Sequence, residues 1–178
     1  MFEDCRSRRV IFLAHCLLNQ NSISDGTAVY PAAFKDVLRL LMDAEVGVVQ
    51  LPCPELCCLG LDRGDERGAE RPVTAENTRI RREMQRGEPA RRLEALVGYA
   101  MYQFEEYRRH GFEILGIVGV NRSPSCGVET TSDNDAEIPG MGLFMGCLAE
   151  RLAEAGASVP MFGLKASDDA ASRLKALL

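Results

Sequence analysis

The chain has 178 residues, 46% of them hydrophobic, and a net charge of −5; this suits one domain over residues 1–178 with a single core and excludes a disordered chain. The acidic balance argues against nucleic acid, whose sequence-independent affinity comes from Lys and Arg neutralising phosphates, so a small-molecule ligand is expected. The distinctive feature is seven cysteines beside only two histidines, His15 and His110. The opening MFEDCRSRR has no apolar signal region and no apolar run approaches transmembrane length, so a reducing cytoplasm is expected, with no membrane contact and no disulfide framework. Cysteines there more often bind metal or do catalysis. Cys53-x3-Cys57-Cys58 lacks the second knuckle of a zinc site.

In chain order, Arg9 to Ala14 is a short β-branched run that reads as a first strand, followed by the polar stretch HCLLNQNSISDG. Pro31 suits a first helical turn, and Ala33, Phe34, Val37, Leu38 and Leu41 recur at helical spacing to about Asp43. Val46 to Leu51 reads as a second buried strand, and the segment CPELCCLGLDRGDERGAERP after it as a long functional loop. A polar helix runs from Thr74 to about Arg86, breaks near Gly87 and Pro89, and resumes at Ala90, with Leu93, Leu96, Val97, Ala100, Met101 and Phe104 on one face up to Gly111. The arginines between Arg63 and Arg92 alternate with acids and read as a solvated, ion-paired face, with a phosphate or RNA patch as the alternative. Glu113 to Val120 is a third strand, followed by a loop from Asn121 to Gly140. A helix over Met141 to Glu154 has Leu143, Cys147, Leu148 and Leu152 on its inner face. A fourth strand, Val159 to Phe162, precedes a last helix capped by Ser167 or Asp168.

Strands alternating with helices predict right-handed crossovers and a three-layer, doubly wound α/β fold around a mostly parallel, Rossmann-like sheet. Ligands then sit at the carboxyl ends of the strands, in the loops that follow them. Cys16 follows the first strand, Cys53 the second and Cys126 the third. Cys53 lies between two prolines and Cys126 in SPSCG, backbone suited to presenting a side chain. Three converging thiolates favour a soft metal centre such as a 4Fe-4S cluster with one iron left open for a substrate atom. The alternative on spacing alone is three small buried hydrophobes. Cys5 reads as incidental and Cys147 as a core residue, while Cys57 and Cys58 stay ambiguous.

The combination of HCLLN after strand one, CPE after strand two and RSPSCG after strand three resembles the TudS-like 2-thiouracil desulfidase family over most of the chain. Cys16, Leu17, Leu18, Asp25 and Gly26 match the first motif; Asn19 stands where the family has Gly and Ser22 where it has a second, non-ligating Cys, which marks a divergent branch. Cys53, Pro54, Glu55, Gly60 and Leu61 match the second motif, Ser123 to Gly127 the third, and Gly140 and Gly142 the glycines that open the next helix. The resemblance implies a 4Fe-4S cluster on Cys16, Cys53 and Cys126, supplied by iron–sulfur assembly machinery, and non-redox hydrolytic desulfuration of a small thiolated nucleobase such as thiouracil.

Such hydrolysis needs a base, and Glu55, two residues from a proposed ligand, is the first candidate, against the reading of a carboxylate that pairs locally. Ser123 and Ser125 donate to cluster sulfurs or to the base, or else stabilise the turn. Asn19 is expected to read an amide edge of the substrate and His15 to transfer protons or serve structure. A helix start near Gly140 to Gly142 offers amides to an anion. Two further readings are a non-catalytic cluster- or sulfide-binding module in sensing or sulfur trafficking, and a cysteine-only enzyme with Cys16 or Cys126 as persulfide-forming nucleophile.

Overall fold

The computed structural model describes residues 2–165, 169–175 and 178. Along the chain run β1 (Arg9–Leu13), α1 (His15–Leu18), α2 (Lys35–Asp43), β2 (Gly47–Gln50), α3 (Pro54–Leu59), α4 (Val73–Met84) and α5 (Gly87–Arg109). There follow β3 (Glu113–Val120), β4 (Thr130–Asp133), β5 (Ala136–Pro139), α6 (Leu143–Glu154), β6 (Met161–Leu164) and α7 (Ala170–Lys175).

Four strands form one parallel sheet in the order β2-β1-β3-β6. From Val10 to Leu13 the residues of β1 are all buried, as an inner parallel strand covered on both faces must be. The chain adds β2 on one side of β1 and then returns to add β3 on the other. With right-handed crossovers this reversal sends α2 to one face and α5 and α6 to the opposite one. It also opens a crevice between the loops that leave β1 and β3, the topological switch point of such sheets. The fold is thus the Rossmann-like α/β architecture expected.

The core explains the helices. Leu93, Val97, Ala100 and Phe104 of α5 are buried, and the Phe104 ring lies 6.0 Å from that of Phe12 on β1. On α6 the buried residues are Phe144, Met145, Leu148 and Leu152. Cys147, expected among them, is exposed. At 100° per residue it falls about 115° from the middle of that stripe.

Four expectations change. The helix predicted from Pro31 begins only at Lys35, because Ala32 O accepts from Gln20 N and Phe34 N donates to Leu17 O, binding that stretch to the first loop. The segment after β2 starts with α3, Pro54 occupying its first turn. The loop after β3 contains the antiparallel hairpin β4–β5, turned by Asn134 and Asp135, both at positive φ, as a type I′ turn requires. The last strand lies two residues further on, at Met161–Leu164. Ser167 and Asp168, the expected cap of the final helix, lie outside the described residues.

Candidate functional site

Three loops at the carboxyl end of the sheet enclose a cavity of about 280 Å³ lined, among others, by Cys16, Cys53 and Cys126. Cys16 sits in α1, which starts two residues after β1, its approach fixed by Ala14 N donating to Val118 O at 2.8 Å. Cys53 is the residue before the proline that opens α3, and Leu51 N bonds Leu13 O at 2.8 Å just ahead of it. Cys126 lies in a turn folded back on β3, its carbonyl accepting from Val120 N at 2.9 Å.

That turn is seated on the start of α6. Leu143 N donates to Pro124 O, and Phe144 N and Met145 N both donate to Ser125 O. The first-turn amides expected to greet an anion therefore hold the Cys126 loop instead, which satisfies donors a helix start leaves open. Only glycine fits at the contact: a Cβ on Gly142 would fall on the Ser125 carbonyl.

Burial pushes the Cys16 thiol up to about 12, with the charges of Cys53 and Glu55 adding to it. Burial likewise takes Cys53 to about 11, with Glu55 next in effect. Cys126 rises well above 9.0, first through burial and then through Cys16 and Cys53. The three thiols thus feel one another across the cavity. Among the described residues no group of three or more His, Cys, Asp or Glu side chains is arranged to hold a single metal ion.

Glu55, on the first turn of α3, is buried. Its Oε1 accepts from Ser125 Oγ at 2.7 Å and Ser123 Oγ at 3.3 Å, and its Oε2 from Ser24 Oγ at 3.0 Å and Arg63 Nε at 3.3 Å. Four donors from four directions use the full acceptor capacity of a carboxylate. The two serines singled out in SPSCG therefore both reach Glu55. Ser125 Oγ also stands 3.5 Å from Cys126 Sγ, and Ser123 Oγ accepts from Cys126 N at 2.9 Å.

Arg63 belongs to the charged run expected on a solvated face, yet its side chain is only 2% exposed. Its position in that run gives no hint of burial; the fold carries the loop after α3 back under the site. Ser24 was likewise not legible, since a serine in SISDG looks like any turn residue. Further along the run Arg91 and Arg92 pair with Glu88 on an exposed face as expected, whereas Glu76 is buried and Arg79 and Arg81 are part-buried.

The remaining candidates divide, His15 beside the thiols and Asn19 away from them. Asn19 does not line the cavity; its Oδ1 accepts from Asn21 N at 3.0 Å and caps the 3-10 turn Gln20–Ser22. His15 does line it, its Nδ1 2.8 Å from Gln50 Nε2. With Gln50 donating, the neutral ring carries its proton on Nε2, an atom buried with no partner among the described residues. Burial lowers the His15 pKa from its ordinary 6.5, favouring the uncharged ring. Cys57 is exposed, Cys5 is exposed, and Cys58 is buried in the core beneath α3.

No family model matches the chain. It is 29% identical over 123 residues to an uncharacterized protein of Methanocaldococcus jannaschii, covering 69% of this chain and 70% of that one. Among solved structures, a [4Fe-4S]-dependent thiouracil desulfidase, TudS, is similar at 19% identity and a TM-score of 0.48, over 95% of this chain and 97% of that chain.

Proposed function

We propose that this protein is an iron–sulfur-dependent enzyme that removes sulfur hydrolytically from a small thiolated nucleobase such as thiouracil. The observation that carries the reading is one cysteine from each of three post-strand loops on a single cavity, with Glu55 held between them by Ser123 and Ser125.

The donor set fits a 4Fe-4S cluster. Three thiols lining one cavity supply a soft donor set. A cluster takes a separate iron on each of its cysteines, so three thiols from three loops lining one cavity suit it. One of the sulfurs has a donor nearby, Arg63 Nη2 at 3.8 Å from Cys53, the kind of outer hydrogen bond that tunes such centres. Cys16, Cys53 and Cys126 would hold the group. When bound, it supplies a soft Lewis acid that polarises a C=S bond at its open iron.

The chain's own contribution is proton handling. The four acceptor sites of Glu55 are filled, so a water reaches it through a hydroxyl: Ser125 passes its proton to Glu55 Oε1 and takes one from the water. The water oxygen forms a bond to the carbon that carried sulfur, and the C–S bond breaks. The products are the oxo base, hydrosulfide and one proton, with no change of oxidation state. Ser24 and Arg63 hold the carboxylate in place for this transfer.

The test is anaerobic reconstitution with iron and sulfide, then sulfide release from free thiouracils. Iron uptake and sulfide release are expected. A protein that takes up no iron overturns the reading, and an iron-loaded one that releases no sulfide from any thiobase turns it into the non-catalytic module. Single Cys16→Ser, Cys53→Ser and Cys126→Ser changes should abolish the cluster absorbance while Cys57→Ser and Cys58→Ser keep it. Glu55→Gln should retain iron and lose turnover by about 10²–10⁴-fold.

A further inference from the structure

Arg63 is buried with every donor of its side chain engaged. Its five N–H groups meet five acceptors. Nε donates to Glu55 Oε2 at 3.3 Å; Nη1 to Gly60 O at 3.1 Å and Leu61 O at 3.0 Å; Nη2 to Ser22 O at 2.6 Å and Cys53 Sγ at 3.8 Å. These acceptors come from the loop after β1 and from the segment after β2, including one proposed ligand and the proposed base. The backbone is bent to deliver this: Arg63 has φ of 57°, a left-handed conformation unfavourable to a side chain. Its carbonyl is in turn fixed by Arg79 Nη2 at 2.9 Å. A guanidinium buried with a single carboxylate would satisfy Glu55 alone. The fork here is divided between a carboxylate, three carbonyls and a sulfur, an arrangement only the planar five-donor geometry of arginine allows.

We infer that Arg63 is a positioning residue that couples the metal-binding and proton-transfer halves of the site, fixing Glu55 through Nε while Nη2 donates to the sulfur of Cys53. The inference rests on the function proposed above. A cationic donor on a ligating sulfur draws electron density from it and raises the reduction potential of the bound cluster. The same rigid plane sets where Glu55 Oε1 meets Ser125. Lysine, a point charge on a flexible stem, cannot serve both ends at once.

Two variants, Arg63→Lys and Arg63→Gln, are compared with the wild type after reconstitution. Iron content, cluster midpoint potential by redox titration, and kcat and KM for thiouracil are measured. The expected result is a more negative potential in Arg63→Gln than in Arg63→Lys, and in Arg63→Lys than in the wild type. Both variants should lose at least tenfold in kcat with KM within about threefold. A role in folding alone would leave the potential of the surviving loaded protein unchanged, and that result overturns the inference while leaving the desulfidase reading intact. A wild type that takes up no iron overturns both. Should neither variant fold, the wild type made with guanidino-¹⁵N arginine decides: a ¹⁵N hyperfine coupling to the reduced cluster supports the inference and its absence overturns it.

Discussion

Ser125 owns one proton and stands between two acceptors, Glu55 Oε1 at 2.7 Å and Cys126 Sγ at 3.5 Å. The shorter contact, to a carboxylate, takes it. With that proton committed, and the Ser123 proton likewise on Glu55 Oε1 at 3.3 Å, the lone pairs of Ser125 are left for an incoming donor. A hydroxyl so placed can exchange one proton for another without moving its oxygen. Ser125→Ala should therefore keep full iron content and lower turnover by about 10²-fold, measured as sulfide released from thiouracil per iron. Ser123→Ala should affect loading as well, because Ser123 Oγ also receives Cys126 N. Cys147→Ser is the control, an exposed residue whose replacement should move stability by less than about 0.5 kcal/mol and leave iron content unchanged.

At the scale of elements, α4 buttresses the Arg63 loop through Glu76. Arg79 bonds both oxygens of Glu76, and Arg71, itself paired with Asp65, bonds Oε2. These partners, Arg79 foremost, hold the carboxyl below its ordinary value of 4.5. A depressed folded-state pKa adds stability above the unfolded value that disappears as pH falls through the folded one. Glu76→Gln should therefore destabilise the protein by about 1–3 kcal/mol at pH 7. In urea titrations across pH the gap between wild type and variant should narrow steadily below 4.5. The junction of α6 with the Cys126 turn is tested differently. Gly142→Ala drives a methyl into backbone that cannot rotate away, so a loss of about 1–3 kcal/mol is expected, with weakened iron retention because the displaced carbonyl is that of Ser125.

For the whole molecule, the site joins segments distant in sequence, so anything bound across the loops after β1, β2 and β3 stabilises the native state alone. Loading with iron and sulfide should raise the melting temperature above that of the metal-free protein; a gain of about 2 kcal/mol corresponds to about 4–8 °C at this size. Cys16→Ser should erase the increment without lowering the metal-free value by as much. Among the described residues no helix is long and apolar enough to cross a membrane.

Hydrophobic period and turn chemistry are local properties, and what depends on them was legible. β3 occupies the residues its apolar run predicts, and the amphipathic stripe of α5 is the one buried. The alternation of strand and helix carries the parallel α/β layout, and with it the placement of Cys16, Cys53 and Cys126 at one end of the sheet. Where local signals are weak, the structure departs from what the pattern predicts. β4 and β5 are short and polar, and only Asn134-Asp135 at their turn betrays them. Cys147 is one step off its helix's buried stripe. Asn19, read as a substrate contact, spends its oxygen on its own turn. What tertiary structure alone decided is which charged and hydroxylated residues meet. An arginine in a run of arginines carries no mark of burial; Arg63 is taken from that run because the sheet's reversal at β1 brings Ser22, Cys53 and Glu55 around one point. There, away from water, each of its five donors must find an acceptor. The cysteines announced a sulfur-based site, and the packing of three loops determined that Glu55, Ser24, Ser125 and Arg63 stand beside it.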